Sequence, residues 1–369
     1  MLLRMRKLWS LWLLPALCAA RLFAQSEGAD DATKSKCAKY EQTPLPSEAV
    51  SVSAPKRWPN CDSYKLYSGI GTKVDFEAAR KCAWSERLAA QAGLEPRYTV
   101  GSVFGGSAML TVLYANGDGV ERNIPLAIRF ACEAGWAPGE IEGRVKHLEA
   151  LDGVPKSSDT NFKFCDDITS GFMEGFCESY SREQASQARA NALKELSSKW
   201  PERQRMALAT LRQAQAAYAK AHRGEIDAQG SSRGAQEIRA QESLSDSFLA
   251  ALQAFERGGL PHHSAAEAGQ ADAELNHVYA RAIDDAEAAK SKYGAVPPES
   301  LRTAELVWLK YRDAWVQFAK LHYPSVSTES WLTLLTRDRI ATIQGGPCES
   351  DPDDSGCERQ DTHAARPLP

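Results

Sequence analysis

The C-terminal half of the chain contains four polar residues whose types could recognise a protein partner: Asn276, Glu305, Arg312 and Asp313. Each lies close in sequence to large apolar residues, and a polar group beside a buried surface has to be hydrogen-bonded or exposed. One interpretation is an interhelical network of hydrogen bonds that fixes how neighbouring helices align. The other is a patch that faces a protein partner. Both interpretations stay open from the sequence.

Catalytic groups are not indicated by the sequence, and we expect the protein not to be an enzyme. The Gly-x-Ser-x-Gly turn of serine hydrolases does not occur. Carboxylates such as Asp284 and Asp285 are adjacent on a predicted helix, where adjacent side chains do not face one another. His262, His263 and His277 show no spacing typical of a metal site. The sequence therefore predicts no catalytic residue, no cofactor and no metal site.

Apolar periodicity predicts the helices that position these polar groups. Apolar residues recur at alternating steps of three and four through residues 301–318, the spacing of a seam between closely packed antiparallel helices. We expect a helical hairpin with its turn at residues 293–298, followed by a third helix capped by Ser327 or Thr328. The aromatic residues are core in this interpretation, and the alternative is that they line a binding groove. They are Tyr279, Trp308, Tyr311 and Trp315.

Two motifs in this region, Leu275-Asn276-x-x-Tyr279 and Tyr311-Arg312-Asp313, resemble those of the LprI-type domain, which is named after a bacterial lysozyme inhibitor. We assign this resemblance to residues 264–344. It implies an all-α fold built as a bundle of antiparallel helical hairpins. It also implies a non-enzymatic protein-binding module whose partner is lysozyme or another cell-wall lytic enzyme.

A weaker copy of this unit precedes it, in residues 160–258. Leu211-Arg212-x-Ala214-Gln215-x-x-Tyr218 matches the spacing of Leu301-Arg302-x-Ala304-Glu305-x-x-Trp308. Cys165 and Cys177 resemble the cysteine-bearing start of LprI-type domains. We therefore predict two LprI-like helical units in tandem, and the sequence leaves open whether they form one domain.

An internal repeat lies further upstream, in residues 62–150. Residues 66–71 and 75–79 match residues 114–119 and 123–127 at a constant offset. A repeat of this kind predicts helical pairs that stack on one another. The second copy resembles a Sel1-like repeat. This resemblance implies the alternative function, a periplasmic scaffold or adaptor whose repeat surface binds a protein or an envelope component.

The chain contains nine cysteines, one of which lies in an N-terminal apolar run. The other eight form an even set that predicts disulfides in an oxidising compartment. Cys37 and Cys61 are expected to hold the Pro-rich linker of residues 25–61, and a bridge between Cys82 and Cys132 is expected to join the Sel1-like repeats. The spacing does not match a paired Cys-x-x-Cys zinc site. The eight candidates are Cys37, Cys61, Cys82, Cys132, Cys165, Cys177, Cys348 and Cys357.

The first residues predict export. Arg4, Arg6 and Lys7 precede an apolar run, which is the layout of a secretory signal peptide, and we assign this signal to residues 1–24. The alternative is an uncut anchor, although the run is shorter than the ~20 apolar residues of a spanning helix. A formal charge of -4 gives no broad basic field for nucleic acid. We expect a periplasmic or secreted protein that ends in an acidic tail at residues 345–369.

Overall fold

The computed structural model describes residues 33–51, 56–94, 96 and 98–345. The chain divides into two compact units, of which unit 1 extends to Tyr180 and unit 2 begins at Ser181. The described residues contain α-helices and no β-strand, which confirms the all-α prediction. No helix in this part of the chain is long and apolar enough to cross a membrane. The predicted signal peptide and the tail after Gly345 lie outside the described residues.

Unit 1 contains the N-terminal helices and the repeated helical pairs. Its helices are α1 (residues 33–41), α2 (Ser47–Ser51), α3 (Ser63–Ser68), α4 (Phe76–Gln91), α5 (Val100–Phe104), α6 (Gly106–Asn116), α7 (Ile124–Ala134) and α8 (Pro138–Leu151), and α9 (Gly171–Leu196) begins in unit 1 and ends in unit 2. Helix α3 packs against α4, α6 packs against α7, and α4 also packs against α6. Tyr64, Trp84, Phe104 and Phe130 are among the buried residues of this interior.

The two loops of the repeat have the same backbone form. Gly69 ends α3 at a φ of 72° and Gly117 ends α6 at a φ of 65°, in the left-handed region that glycine occupies without strain. Asp75 and Asn123 cap the following helices through side-chain hydrogen bonds of 2.9 and 3.0 Å to a backbone amide in the first turn. This matching geometry supports a repeat of helical pairs, and its Sel1-like identity stays a prediction.

The predicted linker, residues 25–61, contains the helices α1 and α2, which its prolines do not indicate. The Glu48 carboxylate of α2 accepts hydrogen bonds from Arg80 at 3.1 Å, Trp84 at 3.2 Å and Tyr114 at 2.7 Å. These three donors attach the segment to the helical pairs. Glu48 therefore holds this part of the predicted linker against the helical pairs.

Disulfides staple unit 1, which confirms the prediction of disulfide bonding. The bridges in the described residues are Cys37–Cys132, Cys61–Cys82 and Cys165–Cys177. The expected bridge between Cys82 and Cys132 is wrong, because each of them pairs instead with a cysteine of the predicted linker, with Cα atoms 6.0 and 5.7 Å apart. Cys348 and Cys357 lie outside the described residues.

The start of the predicted weaker copy, residues 160–258, belongs to unit 1. Phe162, Phe164 and Cys177 are buried in the interior of unit 1, and the compact units divide after Tyr180. Because these apolar side chains pack with the repeated pairs, the predicted boundary near residue 160 does not coincide with the division between the units.

Unit 2 is a helical bundle. Besides the end of α9 it contains α10 (Glu202–His222), α11 (Arg233–Glu256), α12 (Ala265–Ala289), α13 (Pro298–His322) and α14 (Thr328–Ile343). The seam residues Leu301, Ala304, Trp308 and Trp315 are buried, as their spacing predicts. However, α13 packs mainly against α10, and α12 packs mainly against α14. The expected hairpin of α12 with α13 is therefore not the principal packing pair.

The disulfides should contribute unequally to the stability of unit 1, because a bridge that closes a longer loop removes more entropy from the unfolded chain. Cys37 and Cys132 are separated by 95 residues, whereas Cys165 and Cys177 are separated by 12. Replacing the first pair with serine should lower the free energy of unfolding by about 4–5 kcal/mol, against about 3 kcal/mol for the second pair. Denaturant titrations of the two double variants, followed by circular dichroism, measure this difference. Equal losses would contradict the loop-length argument.

Candidate functional site

The polar residues predicted from the sequence have separate contacts in unit 2. Asn276 is exposed on α12, and its amide donates to the Asp272 carbonyl of the same helix at 2.8 Å. Arg312 donates to the neighbouring Asp313 at 3.3 Å and lies over the Trp308 ring at 5.4 Å. Asn276 and Asp313 are therefore the exposed members of the set.

Glu305 belongs to a buried network centred on Arg339 of α14, whose side chain has no exposed surface. The Arg339 guanidinium donates to Glu305 at 2.9 Å and to both carboxylate oxygens of Glu225 at 2.7 and 2.9 Å. It also donates to the Tyr218 hydroxyl at 3.2 Å. His222 hydrogen-bonds to Glu225 at 2.8 Å. The network joins α10, the turn after it, α13 and α14.

Hydrogen bonding keeps the central ion pair of this network charged. Burial acts to raise the pKa of Glu225, but hydrogen bonds from Arg339 and His222 outweigh it and leave the pKa below its usual value. Burial likewise acts to lower the pKa of Arg339, but Glu225, Tyr218 and Glu305 raise it above its usual value. Because a buried charge without its partner is strongly unfavourable, the network constrains how these helices pack.

A cleft of about 920 Å³ lies beside this network, lined by α10, α11, α13 and α14. Trp308 and Trp315 are each only 2 % exposed, so they are core residues, and they also border the cleft. Tyr311 lines the cleft, whereas Tyr279 is not among its lining residues. Trp308 and Trp315 therefore satisfy both interpretations of the aromatic seam, because they are core residues that also line the cleft. The aromatic lining residues are Tyr218, Phe248, Phe255, Trp308, Tyr311, Trp315 and Trp331.

Asp338 is the acidic residue among those lining the cleft. Asp338 is exposed to solvent, but the protein atoms around its carboxyl displace part of the surrounding water, and this desolvation raises the pKa of the carboxyl to about 6. The carboxylate has no hydrogen bond or ion pair with any residue that the structure describes. Strong perturbation of a carboxyl inside a cleft is typical of functional sites.

Sequence reasoning did not single out Glu225, Asp338 or Arg339, although α14 contains a signal for two of them. Trp331 and Leu335 begin an apolar stripe, and residues 338 and 339 fall where the stripe continues at helical spacing. A charged residue at such a position has to be paired or to serve a function. Glu225 follows α10 in a short 3₁₀ turn and carries no comparable pattern.

Unit 1 presents a second notable surface, an aromatic patch formed by Tyr98, Trp136 and Phe172. Their ring centroids lie 5.8 to 5.9 Å apart. Tyr98 is 70 % exposed and Phe172 is 50 % exposed. Trp136 has a φ of 88°, which is unfavourable for a residue with a Cβ and is typical of functional positions when the surrounding structure maintains it.

One cluster among the described residues has the spacing of metal ligands: Cys61, Cys82 and Glu86, whose ligand atoms lie within 4.8 Å of one another. The two cysteines form a disulfide, so their sulfurs are not the thiolates that bind metals. Glu86 accepts hydrogen bonds from the backbone amides of Ser63 at 3.1 Å and Gly106 at 2.8 Å. Glu86 of α4 therefore has a structural role, because its carboxylate binds the first residues of α3 and α6.

Comparison with known families supports the LprI-like part of the prediction. The family described as Lysozyme inhibitor LprI matches residues 261–343, a range that includes α12, α13 and α14. The searches of curated proteins and of solved structures found no match. The matched segment provides Glu305, Asp338 and Arg339. The Sel1-like repeats and the weaker LprI-like copy stay predictions.

Loss of the buried guanidinium should destabilise unit 2. Arg339→Ala leaves Glu225 and Glu305 buried without a cation, and we expect it to lower the free energy of unfolding by about 3–5 kcal/mol. Arg337→Ala is the control, since the Arg337 side chain is 49 % exposed and its nearest carboxylate, Glu267, lies at 3.5 Å; it should change stability by less than about 0.5 kcal/mol. Urea unfolding of both variants measures the difference. A similarly small loss of unfolding free energy in both variants would show that the network does not stabilise the bundle.

Proposed function

We propose that unit 2 is a non-enzymatic module that binds a protein partner in the cleft, and that this partner is lysozyme or another cell-wall lytic enzyme. The observation that carries the proposal is the cleft itself. Its aromatic lining comes partly from α13 and α14, which belong to the segment matched by the LprI family. The name of that family describes inhibition of lysozyme.

The form of the cleft supports protein binding. Its volume of about 920 Å³ is large enough to receive a side chain of a protein partner. Aromatic side chains provide large contact area, and residues such as Trp and Tyr provide much of the binding energy at protein interfaces. Tyr311 is the partly exposed aromatic residue among those that line the cleft beside the buried rings of Trp308, Trp315 and Trp331. A partner that places a side chain between α11 and α14 would bury it against these rings.

The charged groups beside the cleft support binding rather than catalysis. Glu225 and Glu305 are held by Arg339, and His222 is held by Glu225. Groups that are fixed in ion pairs in this way are poorly placed to exchange protons with a substrate. The carboxylate of Asp338 stands without a paired base or acid in the described part of unit 2.

The disulfides support an exported protein. Disulfides form and persist in oxidising compartments and are rare in the cytosol, and unit 1 contains three of them in its described residues. Cell-wall lytic enzymes act outside the cytoplasm, so partner and protein would meet in the same compartment. The proposed location is the periplasm or the extracellular space, in keeping with the signal peptide predicted for residues 1–24.

Obstruction of the cleft should weaken the inhibition of lysozyme. Ala250 is an exposed residue of α11 that lines the cleft, and Ala250→Trp should weaken inhibition of lysozyme by at least about tenfold, because loss of one well-packed anchor costs 1–2 kcal/mol or more. Clearing of a cell-wall suspension by lysozymes of several classes, with and without purified protein, is the measurement. Ala273→Trp is the matched control, since Ala273 is exposed on α12 and does not line the cleft. If wild-type protein leaves every lysozyme fully active, the proposed partner class is wrong.

A second candidate function is a scaffold or adaptor role for unit 1, and the aromatic patch favours it. Exposed, contiguous aromatic surface is uncommon on a protein that has no partner, and Trp136, which contributes one of the rings, has a strained φ of 88°. The proposed ligand is an envelope component or an envelope protein. The patch lies apart in sequence from the residues of the cleft, so the two candidate functions are independent.

Removal of the exposed rings tests this role. Tyr98→Ala combined with Phe172→Ala should reduce cosedimentation of the full chain with isolated cell envelopes severalfold, because the aromatic contact area is lost. Tyr293→Ala provides the control, as Tyr293 is 90 % exposed in unit 2 and contributes no ring to the patch. Unchanged cosedimentation of the double variant would remove the scaffold interpretation of the patch.

A further inference from the structure

Asp338 is the charged residue of the cleft that no described residue neutralises. Arg339 is neutralised by Glu225 and Glu305, and His222 is bonded to Glu225. Arg239, which also lines the cleft, is engaged with a partner as well. The carboxylate of Asp338 is bonded to none of these groups or to any other described residue.

The surroundings of Asp338 define the chemistry that would satisfy it. A partly desolvated carboxylate is stabilised by a cation or a hydrogen-bond donor, and aromatic rings attract cations through their faces. An anionic ligand would be repelled. A wholly apolar ligand would remove water from the carboxylate without replacing the lost hydrogen bonds. The complementary ligand therefore combines a positive charge with an apolar stem.

The extent of the cleft indicates that this cation belongs to a larger molecule. Its lining residues on α11 run from Gln236 to Phe255, which corresponds to roughly 28 Å at ~1.5 Å per residue. A small amine would occupy a fraction of that length, whereas a protein surface could cover it.

We infer that the cleft receives a lysine or arginine side chain of the protein partner, with the alkyl stem against the aromatic rings and the charged end at Asp338. Lysine and arginine bury their stems against apolar surface while the charged head seeks a polar partner. This inference rests on the proposed function, and it adds the residue that recognises the partner and the type of side chain that is recognised.

The interaction should depend on pH in a defined direction. The carboxyl of Asp338 has a pKa of about 6, so it is ionised above that pH and becomes neutral below it. Binding of a cation should therefore strengthen as pH rises from 5 to 7.5. Asp338→Asn should remove this dependence, which assigns it to that carboxyl rather than to another group that lines the cleft.

The charge preference can be tested on the full chain with n-butylammonium, which copies the lysine side chain, and 1-butanol, its neutral analogue. Quenching or shift of tryptophan fluorescence reports binding, because Trp308, Trp315 and Trp331 line the cleft. At pH 7.5 we expect the ammonium ion to bind about tenfold more tightly than the alcohol. Asp338→Asn should abolish this preference, and Asp284→Asn, at an exposed carboxylate of α12, should preserve it. Equal binding of the two compounds to the wild-type protein would overturn the inference.

Inhibition of lysozyme provides the second arm, and it distinguishes failure of the inference from failure of the proposed function. If the wild-type and Asp284→Asn proteins inhibit lysozyme and Asp338→Asn inhibits at least about tenfold more weakly, both the inference and the proposed function are supported. If Asp338→Asn inhibits as strongly as wild type, the inference is overturned and the proposed function remains. If no variant inhibits lysozyme, the proposed function fails, and the fluorescence titration alone decides whether the cleft prefers cations.

Folding of the variant can be checked independently. The pKa of Asp338 in the folded protein, about 6, lies above the usual aspartate value of 3.8, so ionisation of this carboxyl disfavours the folded state as pH rises through this interval. Asp338→Asn should therefore be at least as stable as wild type at pH 7, with the difference shrinking below pH ~4, where the carboxyl is neutral in both states. Loss of binding without loss of stability assigns the effect to recognition. A marked loss of stability at pH 7 would contradict the unpaired state of the carboxylate on which the inference depends.

Discussion

The packing of unit 2 depends on one buried cation, the guanidinium of Arg339. Its carboxylate partners come from two other segments, Glu305 from α13 and Glu225 from the turn after α10. Moving an ion out of water costs several kcal/mol, and only well-placed hydrogen bonds offset that cost. The network therefore constrains α10, α13 and α14 together. Helix α11 contributes nothing to it, and the cleft lies where α11 faces these three helices.

The helices of unit 2 follow largely from local sequence, but their partners do not. The burial of Leu301, Ala304 and Trp308 is encoded in their spacing, since one face of a helix recurs every ~3.6 residues. Spacing does not say which helix covers that face. Leu208 and Leu211 of α10 join the core on which α13 packs, and this choice depends on burying every apolar face of the bundle at once. Proximity in sequence favours α12 as the partner of α13, and the long-range packing overrides it.

The candidate site was less predictable than the bundle, because its chemistry depends on residues that are distant in sequence. Glu225 and Arg339 are 114 residues apart in sequence. The role of either charge becomes evident only when the fold brings the two side chains together. The disulfide between Cys37 and Cys132 in unit 1 is difficult to predict for the same reason, because the two cysteines are separated by 95 residues. Glu305 is the exception: its position beside the seam predicts a register-fixing or exposed role, and the structure places it in a buried network.

Asp338 and Arg339 are adjacent in α14 and yet do not neutralise each other. Successive residues of an α-helix are rotated by roughly 100°, and Arg339 directs its donors to Glu225, Glu305 and the Tyr218 hydroxyl. An anion entering the cleft would gain little from Arg339, because those donors are already engaged. A cation meets the carboxylate of Asp338 without a competing partner among the described residues. By engaging the donors of Arg339, the network that fixes the bundle leaves Asp338 as the charged residue of the cleft that no described residue neutralises.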